Sequence, residues 1–217
     1  MSNRFKMAVF DLDGVILDSE PLHARSIIEL LESYGVSDFH PEENIGMSSE
    51  RMWAWLIEKH GIPSTPEEMV EQMTDRDEQQ MRAFGMGGTR HLNELLDRLE
   101  ENGVLLGIAS SSERRFVDAA LRQAQVKERF PYTLAGSEAP RKKPAPDLYL
   151  GVLKKAGVRP EEAAAIEDSS TGLRAAKQAG LFCIGYRNPT SGEQDLSEAD
   201  AVVEDLLDAA AYLLEQR

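Results

Sequence analysis

Short apolar runs alternate with helix-like segments along the second half of the chain. The runs VLLGIAS, YTLAG, AAAIED and LFCIGY each have the length and composition of a buried strand. Between them, apolar residues recur at helical spacing, for example at Phe116, Val117, Ala120, Leu121 and Ala124. An earlier run, MAVF at residues 7–10, is apolar throughout, as in a strand buried on both faces. This alternation predicts an α/β fold, a doubly wound parallel sheet with helices on both faces.

Residues 19–87 interrupt this rhythm, because they contain no convincing strand and repeat the signals that start and stop helices. We predict helix starts at the following caps: Ser19, Ser49, a capping box at Thr65-Pro66-Glu67-Glu68, and Thr89. The corresponding helices are expected to end near Tyr34, His60, Gly85 and Gly103. The chain is therefore expected to have a discontinuous α/β core, residues 1–18 and 88–217, and an all-helical inserted domain, residues 19–87.

Composition narrows the classes of protein to which the chain can belong. Of its 217 residues, 41% are hydrophobic and 29% charged, and no apolar run approaches transmembrane length. Its start does not predict a signal peptide, and the single cysteine, Cys183, excludes an internal disulfide and fits a reducing compartment. The formal net charge of −14 argues against nucleic acid as a partner. We expect a cytoplasmic monomer that binds neither nucleic acid nor membranes.

Charged and hydroxyl side chains stand where predicted strands end or helices begin. These residues are Asp11, Asp13, Ser110, Lys143, Glu167 and Asp168. Because ligands of open α/β sheets bind beyond the carboxyl ends of the strands, we expect these side chains to converge on one edge. Carboxylates beside a hydroxyl and an ammonium suit Mg²⁺ holding a phosphate, since Mg²⁺ takes one or two carboxylates, waters and substrate oxygens. Taken singly, each residue also has a simpler explanation, such as a helix cap or a solvated loop.

The segments DLDGV, KPAPDLY and EDSSTGLRAAKQAG, together with Ser110, resemble the four motifs of the haloacid dehalogenase-like hydrolases. They occur in the family's order, and the similarity covers nearly the whole chain. The resemblance implies a Rossmann-like core with a small inserted cap, as in the β-phosphoglucomutase and sugar-phosphatase branch. It also implies a Mg²⁺-dependent phosphatase that hydrolyses a small phosphorylated metabolite, such as a sugar or polyol phosphate, through an aspartyl-phosphate intermediate.

The resemblance further implies a role for each motif residue. Asp11 would be the nucleophile, and Asp13 would protonate the leaving group and then activate water. Ser110 would hydrogen-bond the transferred phosphoryl group, while Lys143 would neutralise its charge. The Mg²⁺ ligands would be Asp11, the backbone carbonyl of Asp13, Glu167 and Asp168. The chemistry is consistent, because a carboxylate nucleophile divides ester hydrolysis into two easier steps.

Four further residues are candidate substrate contacts: Ser111, His23, Ser48 and Arg51. His23 completes a D-x-E-x-x-H pattern with Asp18 and Glu20 that resembles the entry to the cap in this branch of the family. The alternative interpretation is that His23 simply lies on the surface of a helix. Ser48 lies in the stretch Gly46-Met47-Ser48-Ser49, which aligns with a phosphate-binding pattern of the mutases.

Two departures from the mutase patterns favour a phosphatase over a mutase. Mutases resembling this chain hold a second phosphate with G-x-S-R and S-x-S-K patterns, but here Ser49 replaces the arginine and Glu113 replaces the lysine. Both changes remove positive charge, although Arg51 or Arg114 could compensate. Hydrolysis is therefore the first hypothesis, and a β-phosphoglucomutase-type phosphosugar mutase is the alternative. A response-regulator receiver uses similar residues, but it would be shorter and would lack the helical insertion.

Overall fold

The computed structural model of the protein describes residues 4–40, 48–85 and 87–215. Six strands form one sheet in the order β3-β2-β1-β4-β5-β6, and each neighbouring pair is parallel. The strands are β1 Met7–Phe10, β2 Leu105–Ala109, β3 Tyr132–Leu134, β4 Ala163–Glu167, β5 Phe182–Tyr186 and β6 Ala201–Val203. The predicted α/β fold with a parallel sheet is confirmed.

Helices lie between the strands and after them along the chain. They are α1 Glu20–Ser33, α2 Ser49–His60, α3 Pro66–Phe84, α4 Leu92–Glu101, α5 Arg114–Gln123, α6 Asp147–Ala156, α7 Ser170–Gln178 and α8 Ala209–Leu214. Met7 and Val9 of β1 pack in one cluster with residues of α6 and α7. Phe10 points to the opposite face, since neighbouring strand residues alternate, and its ring meets Phe130 edge-on at 5.6 Å between centroids. Within the described ranges, no helix has both the length and the apolar character needed to cross a membrane.

The chain divides into two compact units. One unit comprises Met1–Asp18 and Met86–Arg217 and contains the sheet, and the other comprises Ser19–Gly85 and contains α1, α2 and α3. The helical unit has its own apolar core, formed by Ile27, Leu30, Leu31, Met52, Trp53, Leu56, Ile62, Met69 and Met73. Trp53 is fully buried there, whereas Trp55 of the same helix is 37% exposed.

The predicted start of α3 is confirmed. Thr65 accepts a hydrogen bond from the Glu68 amide at 3.2 Å, and the Glu68 carboxylate accepts one from the Thr65 amide at 3.0 Å. Pro66 occupies the first turn, where its missing N–H costs nothing. Such reciprocal bonds satisfy two amides that have no partner inside the helix, so the local sequence determines this boundary.

Two other predicted caps are wrong, and Ser19 occupies the predicted cap position of α1 without a capping bond. Ser48, and not Ser49, caps α2, because Ser48 is extended and its hydroxyl accepts from the Arg51 amide at 3.4 Å. The side chain of Ser19 makes no capping bond to α1, because Ser19 is already in the helical conformation. At α4 the cap position belongs to His91, which has a φ of 58°, and not to Thr89.

Candidate active site

The adjacent strands β1 and β4 bring Asp11 and Glu167 to the same edge of the sheet. Phe10 is paired with Ile166, and the Asp11 amide donates to the Ile166 carbonyl at 2.9 Å. Asp11 and Glu167 therefore follow the last residue pair of the two strands. Both side chains are buried, with Glu167 fully inaccessible. Two buried carboxylates this close together require a compensating positive charge.

Lys143 supplies one such charge. It lies in the loop before α6, and its Nζ is 2.5 Å from both Asp11 Oδ1 and Glu167 Oε1. The lysine side chain is only 6% exposed, so these contacts are shielded from solvent. Asp168 is also buried, and one carboxylate oxygen from each of Asp11, Glu167 and Asp168 lies within 4.8 Å of the others.

Burial and neighbouring charges shift two pKa values in this cluster. Burial raises the pKa of Asp11 well above its usual value; Lys143 opposes this rise, and Glu167, Asp13 and Asp168 add to it. Burial alone would lower the pKa of Lys143, but Asp11 and Glu167 hold it above its usual range. Lys143 is therefore a permanent cation.

Glu167 has further donors besides Lys143. The buried Tyr149 hydroxyl donates to Glu167 Oε1 at 2.5 Å, and the Ser169 hydroxyl donates to Oε2 at 3.3 Å. Burial, and then Glu167, raise the pKa of Tyr149, so its hydroxyl stays protonated and remains a donor. Gly172 of α7 allows this close packing, because a Cβ there would lie 2.0 Å from the Glu167 carboxyl carbon.

The loop after β5 supports Asp168 and the turn that follows β1. Ser191 is buried, and its hydroxyl donates to Asp168 Oδ2 at 2.5 Å. The Asn188 side chain donates to the Gly14 carbonyl at 3.0 Å. Gly14 has a φ of +76°, and a Cβ there would lie 2.0 Å from Asp168 Oδ2. Sequence reasoning missed Asn188 and Ser191, although both follow the end of a strand, as the predicted site residues do.

A row of three serines follows β2. Ser110 is fully buried, and its hydroxyl accepts from the Ser112 amide at 3.0 Å. The Ser112 hydroxyl donates to Asp13 Oδ2 at 2.6 Å, which joins the ends of β2 and β1. Ser111, which lies between Ser110 and Ser112 in the sequence, is partly exposed. Of the six predicted motif residues, the structure thus joins Asp11, Lys143 and Glu167 directly, groups Asp168 with them, and links Asp13 to Ser110 through Ser112.

The charged side chains near the second motif have partners of opposite charge. Glu113, which replaces the lysine of the mutase pattern, has the Lys142 Nζ at 3.3 Å from its Oε1. Arg114 was considered as a substitute phosphate ligand, but its guanidinium donates to Glu138 and to the Thr133 carbonyl. Glu113 is therefore paired with a lysine, and Arg114 already has partners of its own.

Three predicted substrate contacts, His23, Ser48 and Arg51, belong to the helical unit. His23 Nδ1 is 2.8 Å from Oδ2 of Asp77, whose side chain is buried in α3. Arg51 is exposed in the first turn of α2, and the Ser48 hydroxyl caps that helix. Gly46 and Met47 of the mutase-like pattern lie outside the described residues. The substrate roles of these residues stay predictions.

The chemistry of the cluster fits a hard divalent cation. Asp11, Glu167 and Asp168 offer buried carboxylate oxygens, whereas the cluster contains a single ammonium, that of Lys143. Mg²⁺ is bound in proteins by one or two carboxylates and by oxygens of water and substrate. A divalent cation would balance the excess negative charge that burial makes costly.

Known proteins resemble the chain in sequence and in fold. A phosphorylated carbohydrates phosphatase from Thermotoga maritima is 30% identical over 200 residues, 89% of this chain and 91% of the relative. A probable pseudouridine-5'-phosphatase from Drosophila melanogaster is 32% identical over 211 residues, 92% of this chain and 89% of the relative.

CbbY from Rhodobacter sphaeroides, solved in complex with phosphate, is 26% identical and superposes with a TM-score of 0.86, covering 96% of this chain and 100% of CbbY. A CbbY mutant was solved with xylulose-(1,5)bisphosphate and gives a TM-score of 0.85 at 27% identity, covering 94% of this chain and 96% of the mutant. The family described as haloacid dehalogenase-like hydrolase matches residues 8–186, which include all of the predicted motif residues. The chain therefore belongs to the haloacid dehalogenase-like hydrolase family.

Proposed function

We propose that the protein is a Mg²⁺-dependent phosphatase that hydrolyses a small phosphate monoester through an aspartyl-phosphate on Asp11. The observation that carries this proposal is the buried cluster in which the Lys143 ammonium lies 2.5 Å from both Asp11 and Glu167. A carboxylate held beside a fixed cation can attack a phosphoryl group whose negative charge that cation also stabilises.

Each residue of the cluster has a chemical task in this proposal. Asp11 attacks phosphorus, Asp13 exchanges protons with the leaving group and with water, and Ser110 donates to the phosphoryl oxygens. Glu167, Asp168, Asp11 and the Asp13 carbonyl would hold Mg²⁺, which supplies charge stabilisation to the phosphoryl group when bound. Lys143 opposes the rise that burial causes in the pKa of Asp11, and so favours the charged form of this carboxyl group.

The proposed substrates are sugar and polyol phosphates. This class is supported by the names of relatives such as the phosphorylated carbohydrates phosphatase, whose alignment covers 89% of this chain. The helical unit is proposed to be the cap implied by the family resemblance, with His23, Ser48, Ser111 and Arg51 as candidate substrate contacts. That the chain acts as a cytoplasmic monomer stays a prediction from sequence.

A phosphosugar mutase is the second candidate, since a putative β-phosphoglucomutase from Thermotoga maritima superposes with a TM-score of 0.77 at 25% identity. A mutase must hold a distal phosphate with a fixed cation. Of the two arginines considered as substitute phosphate ligands, Arg114 is already hydrogen-bonded to Glu138, so Arg51 remains the candidate. If the protein is a phosphatase, incubation with β-glucose 1-phosphate and a trace of a sugar bisphosphate should yield free phosphate. Formation of glucose 6-phosphate faster than free phosphate would favour the mutase.

The proposal is tested by replacing the nucleophile. Asp11→Asn should abolish release of phosphate from p-nitrophenyl phosphate in the presence of Mg²⁺, because an amide cannot form an acyl-phosphate. We expect a loss of several orders of magnitude, on the order of the 10⁴ or more seen when nucleophiles are removed. Asp195→Asn, a change at an exposed aspartate, is the matched control. Turnover by pure Asp11→Asn protein near that of the wild type would refute the assignment.

A further inference from the structure

Ser112 makes a contact that the proposed mechanism does not yet use. Its hydroxyl donates to Asp13 Oδ2 at 2.6 Å across a sequence separation of 99 residues. The contact joins the loop after β2 to the turn after β1, and both residues are partly buried. A short hydrogen bond to a carboxylate is among the stronger ones, and it restricts how the carboxyl group can rotate.

The backbone holds Ser112 in place for this contact. Its amide donates to the hydroxyl of the buried Ser110 at 3.0 Å, and its carbonyl accepts from the Gly136 amide at 2.9 Å. Gly136 approaches this loop so closely that a Cβ there would lie 2.1 Å from the Ser111 carbonyl oxygen. The Ser112 hydroxyl is therefore positioned before any ligand binds.

A role as a helix cap does not account for the Ser112 hydroxyl. A serine just before a helix is a typical cap, but Glu113 occupies the cap position of α5, and no side chain makes a capping bond there. A cap serine accepts a hydrogen bond from a helix amide, whereas the Ser112 hydroxyl donates to a carboxylate. The role of the hydroxyl is therefore to be found at Asp13.

We propose that Ser112 is a positioning residue that holds the Asp13 carboxyl group in the orientation required for proton transfer with the ester oxygen. This inference rests on the proposed phosphatase function and assigns a role to the second serine of the stretch that aligns with the S-x-S-K pattern. Ser112 binds Oδ2, so the proposal assigns proton transfer to Oδ1 of the same carboxyl group. Ser112 itself touches neither the substrate nor the nucleophile in this account.

The proton moves in two balanced steps. In the first, an Asp11 oxygen forms a bond to phosphorus while the bond from phosphorus to the ester oxygen breaks, and the ester oxygen takes its proton from Asp13. In the second, a water oxygen bonds to phosphorus and gives a proton to the Asp13 carboxylate. The bond from phosphorus to Asp11 breaks with its electron pair returning to Asp11, so phosphate leaves and both residues are restored.

The test compares esters that need the acid with an ester that does not. Ser112→Ala, Ser112→Thr and the control Ser197→Ala, an exposed serine of the same unit, are assayed on p-nitrophenyl phosphate and on alkyl phosphates such as glycerol and hexose phosphates. The measured quantity is kcat/KM, which reports the step in which the ester bond breaks. Far-UV circular dichroism and calorimetric binding of Mg²⁺ verify that each variant is folded and retains its metal site.

A selective loss is expected. Alkyl phosphates should lose about tenfold to a hundredfold in kcat/KM with Ser112→Ala, since an alkoxide needs a well-placed proton to leave. p-Nitrophenyl phosphate should change by less than about threefold, because p-nitrophenolate leaves without a proton and general acid catalysis contributes little. Ser112→Thr should recover most of the alkyl phosphate activity, because threonine keeps the hydroxyl.

Several results would overturn the inference. Equal losses on all esters, no loss on any, or a selective loss that Ser112→Thr does not restore would each show that the hydroxyl does not act through Asp13. Failure of the phosphatase proposal looks different, since wild-type protein would then hydrolyse none of the esters or would retain activity as Asp11→Asn. The inference falls with it in that case.

Discussion

Replacing Lys143 by methionine removes the ammonium from the buried cluster while keeping a side chain of similar length. Asp11 then loses its cationic partner, while Glu167 keeps the Tyr149 and Ser169 hydroxyls as donors. Removing one partner of a buried ion pair costs about 3 to 5 kcal/mol. We use the lower end, about 3 kcal/mol, because the surviving donors still serve Glu167. With a urea m value of roughly 2.5 kcal/mol/M, the midpoint of unfolding should fall by about 1.2 M.

The assay must report on the unit that contains the sheet. Both tryptophans, Trp53 and Trp55, lie in the helical unit, so tryptophan fluorescence follows that unit. Cys183, the single cysteine, is fully buried in β5, and burial raises the pKa of its thiol to about 12. Its reaction with a disulfide reagent during short urea pulses therefore follows unfolding of the α/β unit. Chelator is present throughout, so that no divalent cation compensates for the missing charge.

Lys154→Met is the matched control. Lys154 is exposed on α6, and its replacement should change the free energy of unfolding by no more than about 0.5 kcal/mol. A midpoint for Lys143→Met equal to that of Lys154→Met would refute the reasoning. Lys143→Met should also lower kcat/KM by about 100-fold or more, since a fixed charge at the reacting group is lost.

Three further predictions concern the metal site, a close packing contact and a surface pair. Asp168→Ala should weaken calorimetric Mg²⁺ binding more than Ser110→Ala does, because it removes a carboxylate; equal binding would contradict this. Gly172→Ala should lower activity about tenfold although alanine favours helices, because the added Cβ would lie 2.0 Å from the Glu167 carboxyl carbon and displace it; unchanged activity would contradict this. Hydrogen bonds from Arg159 and Lys6 lower the pKa of Glu162 to about 2, so its stabilising effect is present above its unfolded pKa and disappears as the pH falls through about 2. Glu162→Gln should therefore unfold at lower urea than wild type at pH 6, by a difference that narrows with acidification; a difference that is constant with pH would contradict this.

Features that depend on neighbours in sequence could be predicted from the sequence alone. The run MAVF is apolar at every position, and β1 is buried throughout. The capping box at Thr65 follows from two side chains three residues apart, which find each other in any chain that forms the helix. The order of the strand ends gave the set of candidate catalytic residues for a similar reason, since parallel strands share an edge.

Features that depend on the backbone conformation or on contacts between residues far apart in sequence could not be predicted. Either Ser48 or Ser49 could have capped α2 from sequence, and only the extended backbone at Ser48 decides between them. The partner of Glu113 is Lys142, which is 29 residues away, so its charge cannot be judged from the motif. Likewise, the hydroxyl of Ser112 had a plausible local use as a cap, and only the tertiary structure brings Asp13 to it.

Strands and loops contribute differently to the site. The proposed nucleophile and one proposed metal ligand, Asp11 and Glu167, are held at the ends of β1 and β4 by a hydrogen-bonded register in which a slip of one residue would turn both away. Both side chains therefore keep their positions at this edge for as long as the sheet itself is intact. The groups that orient carboxylates, Ser112, Ser191 and Lys143, come instead from loops. Changes at Ser112 and Ser191 should alter rate and metal affinity before they alter the fold, and such loop positions are where relatives can diverge in activity while keeping the same core.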